Sequence, residues 1–273
     1  MDFINQSITD LKQFGKDKHQ EYISASPFPS IVIDNFFNEE MLSKVANEFP
    51  DLSKLADVKT YDNHNEKKLE AKGERHFSET GRLLAHFLNS QPVLQFLQEL
   101  TGIKETLLPD PYFVGGGYHE IKPGGLLKVH ADFNKHEMTF LDRRINLLVY
   151  LNKDWEESYG GNFELWDKDM TRAYKKVLPI FNRIAIFSTT DFSFHGHPDA
   201  LSCPPDRSRK SLALYYYTNG RPKSELNPKA HATLFVDRAG VKGDTEKEPL
   251  TFRDVVVDFV PPILLRTVKK MIR

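Results

Sequence analysis

The feature that most constrains the fold is a change of pattern near residue 110. From there to about residue 218, short segments rich in β-branched and aromatic residues alternate with Gly, Pro, Asn and Asp. Seven or eight short strands separated by such turns predict a β-sandwich or a β-barrel. The segments read PYFVGGGYHEI, LLKVHADF, INLLVYLN, GNFELWD, AYKKVLPI, RIAIFS and RKSLALYYYT.

The region before this β-rich part has helical signals. The first 25 residues predict a polar helix, and a strand follows at 28–37. Asn38 is a suitable cap for a helix that stops before Pro50. The segments SETGRLLAHFL and PVLQFLQELTG predict two more helices, the second ending at Gly102. The predicted fold class is therefore mainly β with flanking helices, an α+β arrangement.

Residues 52–78 are polar and charged and show weak periodicity. Such a segment is typical of a long mobile loop, and loops of this kind often act as lids over a site. We therefore expect a loop here, with a solvated surface role as the simpler alternative.

Composition narrows the class of protein. The chain has 273 residues, 40% of them hydrophobic, which is enough for a full core. Lys and Arg total 37 and Asp and Glu total 38, so no excess of positive charge indicates a nucleic-acid partner. Cys203 is the single cysteine, which rules out an internal disulfide. With no signal-peptide pattern and no apolar run of spanning length, we expect a cytoplasmic protein without a membrane span.

The segment KVHADFN contains two metal-ligand residue types on one predicted strand. Because side chains alternate across a strand, His130 and Asp132 point to the same face. An imidazole and a carboxylate on one face supply two ligands of a 2-His-1-carboxylate triad, which leaves coordination positions of Fe(II) open. A surface histidine beside a solvated aspartate is the alternative for this motif alone.

A third ligand is expected from a later strand. The segment FSTTDFSFHGHPDAL follows an apolar strand directly and offers His195 and His197. The strand period places both histidines on one face, so geometry alone does not choose between them.

An anchor for an anionic cosubstrate is expected on the next strand. Arg209 is in phase with Ser211, and an arginine binds a carboxylate through two parallel hydrogen bonds. Arg207 is in the same phase but nearer the preceding loop, so it is the alternative anchor.

Taken in this order, these motifs resemble the Fe(II)- and 2-oxoglutarate-dependent oxygenases of the prolyl-4-hydroxylase type. The run INLLVYLNKDWEESYGGNFELW is similar to the same region of the hypoxia-factor prolyl hydroxylases, and the resemblance covers roughly residues 110–218. It implies a double-stranded β-helix, or jelly-roll, core. It also implies conversion of 2-oxoglutarate and O2 to succinate and CO2, coupled to hydroxylation of an unactivated C–H bond.

The resemblance implies roles for individual residues. His130, Asp132 and His195 match the catalytic iron ligands, and Arg209 matches the residue that holds the far carboxylate of 2-oxoglutarate. Cofactor-binding roles are also expected for three further residues, which are Tyr150, Ser211 and Tyr118. Tyr118 is included because Glu120 stands where many relatives have a tyrosine.

The same resemblance implies Fe(2+), 2-oxoglutarate and, as reductant, ascorbate. The substrate is expected to be a protein, a peptide, a sugar or a small metabolite. The alternative function is a non-catalytic jelly-roll module that binds a metal or a carbohydrate.

We expect three regions along the chain. Residues 1–27 form an N-terminal helical segment, 28–220 form the oxygenase domain, and 221–273 form a C-terminal extension packed on it. The extension ends in PPILLRTVKKMIR, a predicted short basic amphipathic helix.

Overall fold

The computed structural model describes residues 3–222, 225 and 232–246. Its helices are α1 Leu11–Ile23, α2 Glu39–Asn47, α3 Glu79–Leu88 and α4 Gln91–Thr101. Its early strands are β1 Ser30–Asp34, β2 Lys59–Asp62, β3 Glu66–Lys72, β4 Gly117–Ile121, β5 Leu126–Ala131 and β6 Asp142–Tyr150. The later strands are β7 Phe163–Trp166, β8 Ala173–Val177, β9 Arg183–Ser188, β10 His195–His197, β11 Arg209–Thr218 and β12 Leu234–Phe235.

The helix ends follow the capping signals in the sequence. The side chain of Asn38 accepts a hydrogen bond from the Met41 amide, and Ser78 does the same for Gly81 at the start of α3. Gly102 ends α4 in the left-handed conformation, with φ of 71°. The predicted helices are therefore confirmed.

The strands pair in the order β1-β9-β6-β11-β4-β3-β5-β10-β7-β8, with β12 added to β5 and β2 added to β3. All pairs between these strands are antiparallel. The path folds back on itself, since Phe163 on β7 and Phe187 on β9 lie with ring centroids 5.3 Å apart. This nearly closed antiparallel arrangement confirms the predicted jelly-roll class.

Strand alternation gives the large sheet two different faces. On β6 and β9, Leu147, Val149 and Ile186 pack with the helices in the main core cluster. The alternate residues of the same two strands point to the opposite face, so Tyr150 and Phe187 face the interior of the jelly roll. The helices thus bury one face, and the opposite face is left for polar side chains of a site.

Residues 52–78 were expected to be a long mobile loop, and this expectation is wrong. The segment contains β2 and β3, and β3 lies between β4 and β5 in the sheet. Glu70 on β3 is directly opposite His119 on β4. The charged residues of this segment lack the alternation typical of a strand. The segment is a strand because its neighbours supply the ladder hydrogen bonds.

Part of the predicted C-terminal extension lies across β5. Leu234 pairs with Ala131, and Phe235 pairs with His130. Asp244 accepts hydrogen bonds from the Arg238 guanidinium, so these two residues close a turn within the described segment 232–246. The basic helix predicted near residue 273 lies outside the described residues, and the three-region division stays a prediction.

Within residues 3–222, 225 and 232–246, every helix is too short or too polar to cross a bilayer.

We predict that Gly117→Ala destabilises the fold more than Gly73→Ala. Both glycines have positive φ, 110° and 71°, so both substitutions carry a backbone cost of about 1–2 kcal/mol. At Gly117 a Cβ would also meet the Ala71 carbonyl oxygen of β3, whereas nothing lies within 4 Å at Gly73. Urea unfolding measures both variants, and equal free energies of unfolding would contradict the close packing of β3 on β4.

Candidate metal and cosubstrate site

Three predicted metal ligands meet on the inner face of the strands. His130 lies on β5, Asp132 follows that strand directly, and His195 lies on β10 opposite His130. Asp132 Oδ1 is 3.7 Å from His130 Nε2, and Asp132 Oδ2 is 3.4 Å from His195 Nε2. Their possible ligand atoms all lie within 4.8 Å of one another, and all three residues are buried.

Backbone carbonyls orient both imidazoles. Nδ1 of His130 is 2.8 Å from the carbonyl oxygen of Lys128, and Nδ1 of His195 is 2.8 Å from that of Ser193. A carbonyl only accepts, so each Nδ1 carries the proton and each Nε2 keeps a lone pair facing the cluster. Burial lowers the pKa of His195 to about 4, which keeps this imidazole neutral at physiological pH.

The carboxylate of Asp132 is held by residues of β6. Asn146 Nδ2 donates to its Oδ2 at 2.7 Å, and Arg143 Nη2 is 3.1 Å from the same oxygen. Burial would raise the pKa of Asp132, but Arg143 and the two imidazoles hold it well below its usual range. Asp132 is therefore ionised and positioned as a metal ligand.

His197, the alternative third ligand, lies outside the ligand cluster. It is buried like His195, yet neither of its ring nitrogens has a hydrogen-bond partner in the described part of the chain. Burial, reinforced by the charge of Arg209, lowers its pKa well below the usual value. The geometry thus separates two histidines that the sequence left equivalent.

Arg209 and Tyr150 meet at another part of the inner face. Arg209 is 6% exposed, donates from Nε to the Gly161 carbonyl at 2.9 Å, and has Nη2 3.4 Å from the Tyr150 hydroxyl. Ser211, also buried, pairs with Tyr150 across β6 and β11. Arg207 lies elsewhere, near the surface, where its Nη2 donates to the Asp154 carbonyl at 2.9 Å. Of the two arginines, Arg209 is the one that the fold buries.

Tyr118 was expected in the cosubstrate pocket, and the structure contradicts this. Its ring lies 4.3 Å from that of Phe49 and 4.6 Å from that of Phe77, on the helix-covered face. The alternation of β4 instead turns His119 inward, opposite Ser211. Burial lowers the pKa of His119 to about 4, so it is a neutral imidazole.

A cavity of about 470 Å³ opens onto His130 and Asp132. The Arg143 guanidinium lies in its wall, 3.4 Å above the Tyr215 ring and 4.2 Å from the Phe133 ring. Nη1 of Arg143 makes no hydrogen bond within the described residues, whereas Nη2 pairs with Asp132 Oδ2 at 3.1 Å. Cavity walls also include His119, Tyr61, Glu66, Glu70, Lys68 and Phe235.

Sequence reasoning missed Arg143, Asn146 and His119 as site residues. Asn146 gives a usable signal, because it is a polar residue inside the apolar run INLLVYLN and in phase with Tyr150. Arg143 and His119 have no such signal, since their roles depend on which strands lie beside β6 and β4.

The donor set fits a divalent iron ion. Two imidazole Nε2 atoms and one ionised carboxylate form a set of the facial-triad type, which suits Fe(II) with open positions. Arg209 and Tyr150 supply cationic and hydroxyl donors that suit the carboxylate of a bound diacid. The residues present are therefore compatible with both an iron ion and 2-oxoglutarate.

Comparisons with known proteins agree with this geometry. Residues 116–217 match the family described as the 2OG-Fe(II) oxygenase superfamily. The Mus musculus protein named Prolyl 3-hydroxylase OGFOD1 is 29% identical over 99 residues, which are 34% of this chain and 18% of that relative. The match thus spans less than a fifth of that relative's length.

Solved structures share the fold. A Pseudomonas putida prolyl-4-hydroxylase has a TM-score of 0.54 and 14% identity, over 76% of this chain and all of that one, 100%. A Trichoplax adhaerens prolyl hydroxylase, solved with a hypoxia-inducible-factor peptide fragment, has a TM-score of 0.56 and 16% identity. That match covers 76% of this chain and 90% of the other.

We predict that His195→Ala abolishes stoichiometric Fe(II) binding and that His197→Ala retains it. Of the two histidines on β10, His195 is the one that presents a ring nitrogen to the carboxylate of Asp132. Anaerobic calorimetric titration with Fe(II) measures both variants. Loss of metal in His197→Ala, with the fold intact by circular dichroism, would contradict the assignment.

We also predict that Asn146→Ala weakens Fe(II) binding by about 10-fold without removing it. The substitution leaves all three ligands but frees the Asp132 oxygen that Asn146 holds at 2.7 Å. Asn38→Ala is the control, because it removes a helix cap far from the metal and lowers only stability. Equal metal affinity in Asn146→Ala and wild type would show that Asn146 does not position Asp132.

Proposed function

We propose that this protein is an Fe(II)- and 2-oxoglutarate-dependent dioxygenase, and the match of residues 116–217 to the 2OG-Fe(II) oxygenase superfamily supports this proposal. In this proposal it hydroxylates an unactivated C–H bond of its substrate. The observation that carries the proposal is the His130–Asp132–His195 cluster on the same inner face as buried Arg209.

The chain's own residues have separable tasks in this reaction. His130, Asp132 and His195 hold the iron, and Arg209 with Tyr150 holds the far carboxylate of 2-oxoglutarate. Iron and 2-oxoglutarate together supply the oxidising power for C–H hydroxylation when O2 binds. His130 and Asp132 line the cavity, so a metal held by the three ligands would be accessible from it.

The apolar residues near the ligands limit water access. Phe187 lies 4.6 Å from the His195 ring, and Phe163 lies 5.6 Å from it. Phe235 covers His130 from the other side, at 5.6 Å between centroids. Exclusion of water around the metal favours reaction with substrate over side reactions.

The cavity wall is suited to a substrate that offers both an acceptor and a donor. Nη1 of Arg143 and Oε1 of Glu70 have no hydrogen-bond partner among the described residues, while Nη2 of Arg143 faces Asp132. Both side chains are buried, at 1% and 4% exposure, so leaving them unsatisfied is costly. An amide group supplies the carbonyl for one and the N–H for the other.

A peptide or amino-acid-like substrate is therefore part of the proposal. The names of the relatives, a prolyl 3-hydroxylase and two prolyl hydroxylases, support a prolyl residue as its reacting unit. Ascorbate as a reductant stays a prediction.

We predict that Arg209→Ala weakens 2-oxoglutarate binding at least about 30-fold, because it removes the buried charge expected to face the distal carboxylate. Arg207→Ala is the matched control. It removes a surface-side arginine that donates to the Asp154 carbonyl, so we expect a change within about twofold.

The measurement is anaerobic titration of the Fe(II)-loaded protein, following the weak visible charge-transfer band of the 2-oxoglutarate chelate. A band in wild type that weakens in Arg209→Ala supports the oxygenase. Bound metal without any band would instead favour a non-catalytic jelly-roll module.

A further inference from the structure

The buried imidazole of His197 has no role in the site as described so far. Its side chain is 3% exposed, and neither Nδ1 nor Nε2 finds a hydrogen-bond partner within the described ranges. Buried polar groups in native proteins are nearly always paired. An orphan of this kind therefore points to a group that the protein binds.

The position of His197 relates it to the cosubstrate. It follows the metal ligand His195 by two residues on β10, so the two rings lie on the same side of the strand. Two residues of strand span roughly 6.6 Å. This separation is comparable to the reach of an extended five-carbon diacid that is anchored on the metal.

The neighbourhood of His197 contains the distal anchor. Burial lowers the pKa of His197, and the positive charge of Arg209 lowers it further. His197 and Gly161 line one small cavity of about 90 Å³, and the Gly161 carbonyl accepts the Nε hydrogen bond of Arg209. His197 is thus on the strand that carries His195 and lines the same cavity as Gly161, the residue that Arg209 bonds.

We propose that His197 donates a hydrogen bond to the distal carboxylate of 2-oxoglutarate, as a third anchor beside Arg209 and Tyr150. A neutral imidazole has one N–H donor, and a carboxylate has free lone pairs after Arg209 is bound. The assignment rests on the proposed oxygenase function and makes His197 a cosubstrate-positioning residue.

The test compares wild type, His197→Leu, His197→Asn and His197→Gln as Fe(II)-loaded, oxygen-free proteins. Each is titrated with 2-oxoglutarate and separately with 2-oxobutyrate, which keeps the 2-oxo acid but lacks the distal carboxylate. The readouts are the charge-transfer band and calorimetric affinity. Fe(II) affinity and urea unfolding show whether each variant keeps the metal site and the fold.

We expect His197→Leu to bind 2-oxoglutarate about 10-fold or more weakly and to bind 2-oxobutyrate as wild type does. Either His197→Asn or His197→Gln restores part of the lost affinity, because an amide places an N–H near one of the two ring-nitrogen positions.

Three results would overturn the assignment in different ways. Unchanged 2-oxoglutarate affinity in folded His197→Leu would mean that the imidazole binds only ordered water. An equal loss for both acids would mean that His197 supports the metal ligands and not the distal carboxylate. Absence of the band in wild type would overturn the proposed function itself.

Discussion

The ionised carboxylate of Asp132 is the constraint on which the site depends. A buried charge is costly unless it is paired and hydrogen-bonded, and Asp132 is 9% exposed. Asn146 supplies the hydrogen bond, Arg143 supplies the positive charge, and the two imidazoles place their ring nitrogens where they could share a cation with the carboxylate. The inner strands are arranged so that all four partners reach the same point.

Because the site occupies the inner face of the strands, the main apolar core lies on their opposite face. The helices cover the outer side of the large sheet, where Leu147, Val149 and Ile186 contribute to the main core. That burial stabilises the domain on its helix-covered side. The inner face holds smaller apolar clusters, one of which contains Phe163 and Phe187, together with the buried ionisable residues of the site.

The inner face has two positively charged positions with different surroundings. Arg143 stacks on the rings of Tyr215 and Phe133 at the wall of the larger cavity. Arg209 lies against Tyr150 and Gly161. In the proposed function, the guanidinium at the cavity wall would meet the substrate and the one near Tyr150 would meet the cosubstrate, so position gives one side-chain type two tasks.

The sequence by itself determined the β-rich core, the helix caps and four of the site residues. His130 and Asp132 follow from strand alternation and Arg209 from its phase with Ser211, which are local properties, whereas Tyr150 follows from the resemblance to the oxygenase family. The caps at Asn38 and Ser78 are local as well, because a side chain bonds an amide three residues away.

Three features depend on contacts between strands and became evident in the tertiary structure. It separated His195 from His197, because the ligand cluster depends on which ring nitrogens reach Asp132 across the sheet. It placed Tyr118 under the helices and His119 inside, because the face of β4 is set by its neighbours. It also showed that Glu66–Lys72 is a central strand. The charged composition of this segment is typical of a loop, but the segment pairs with β4 and β5. Pairing partners distant in the chain leave no mark in a short window of sequence.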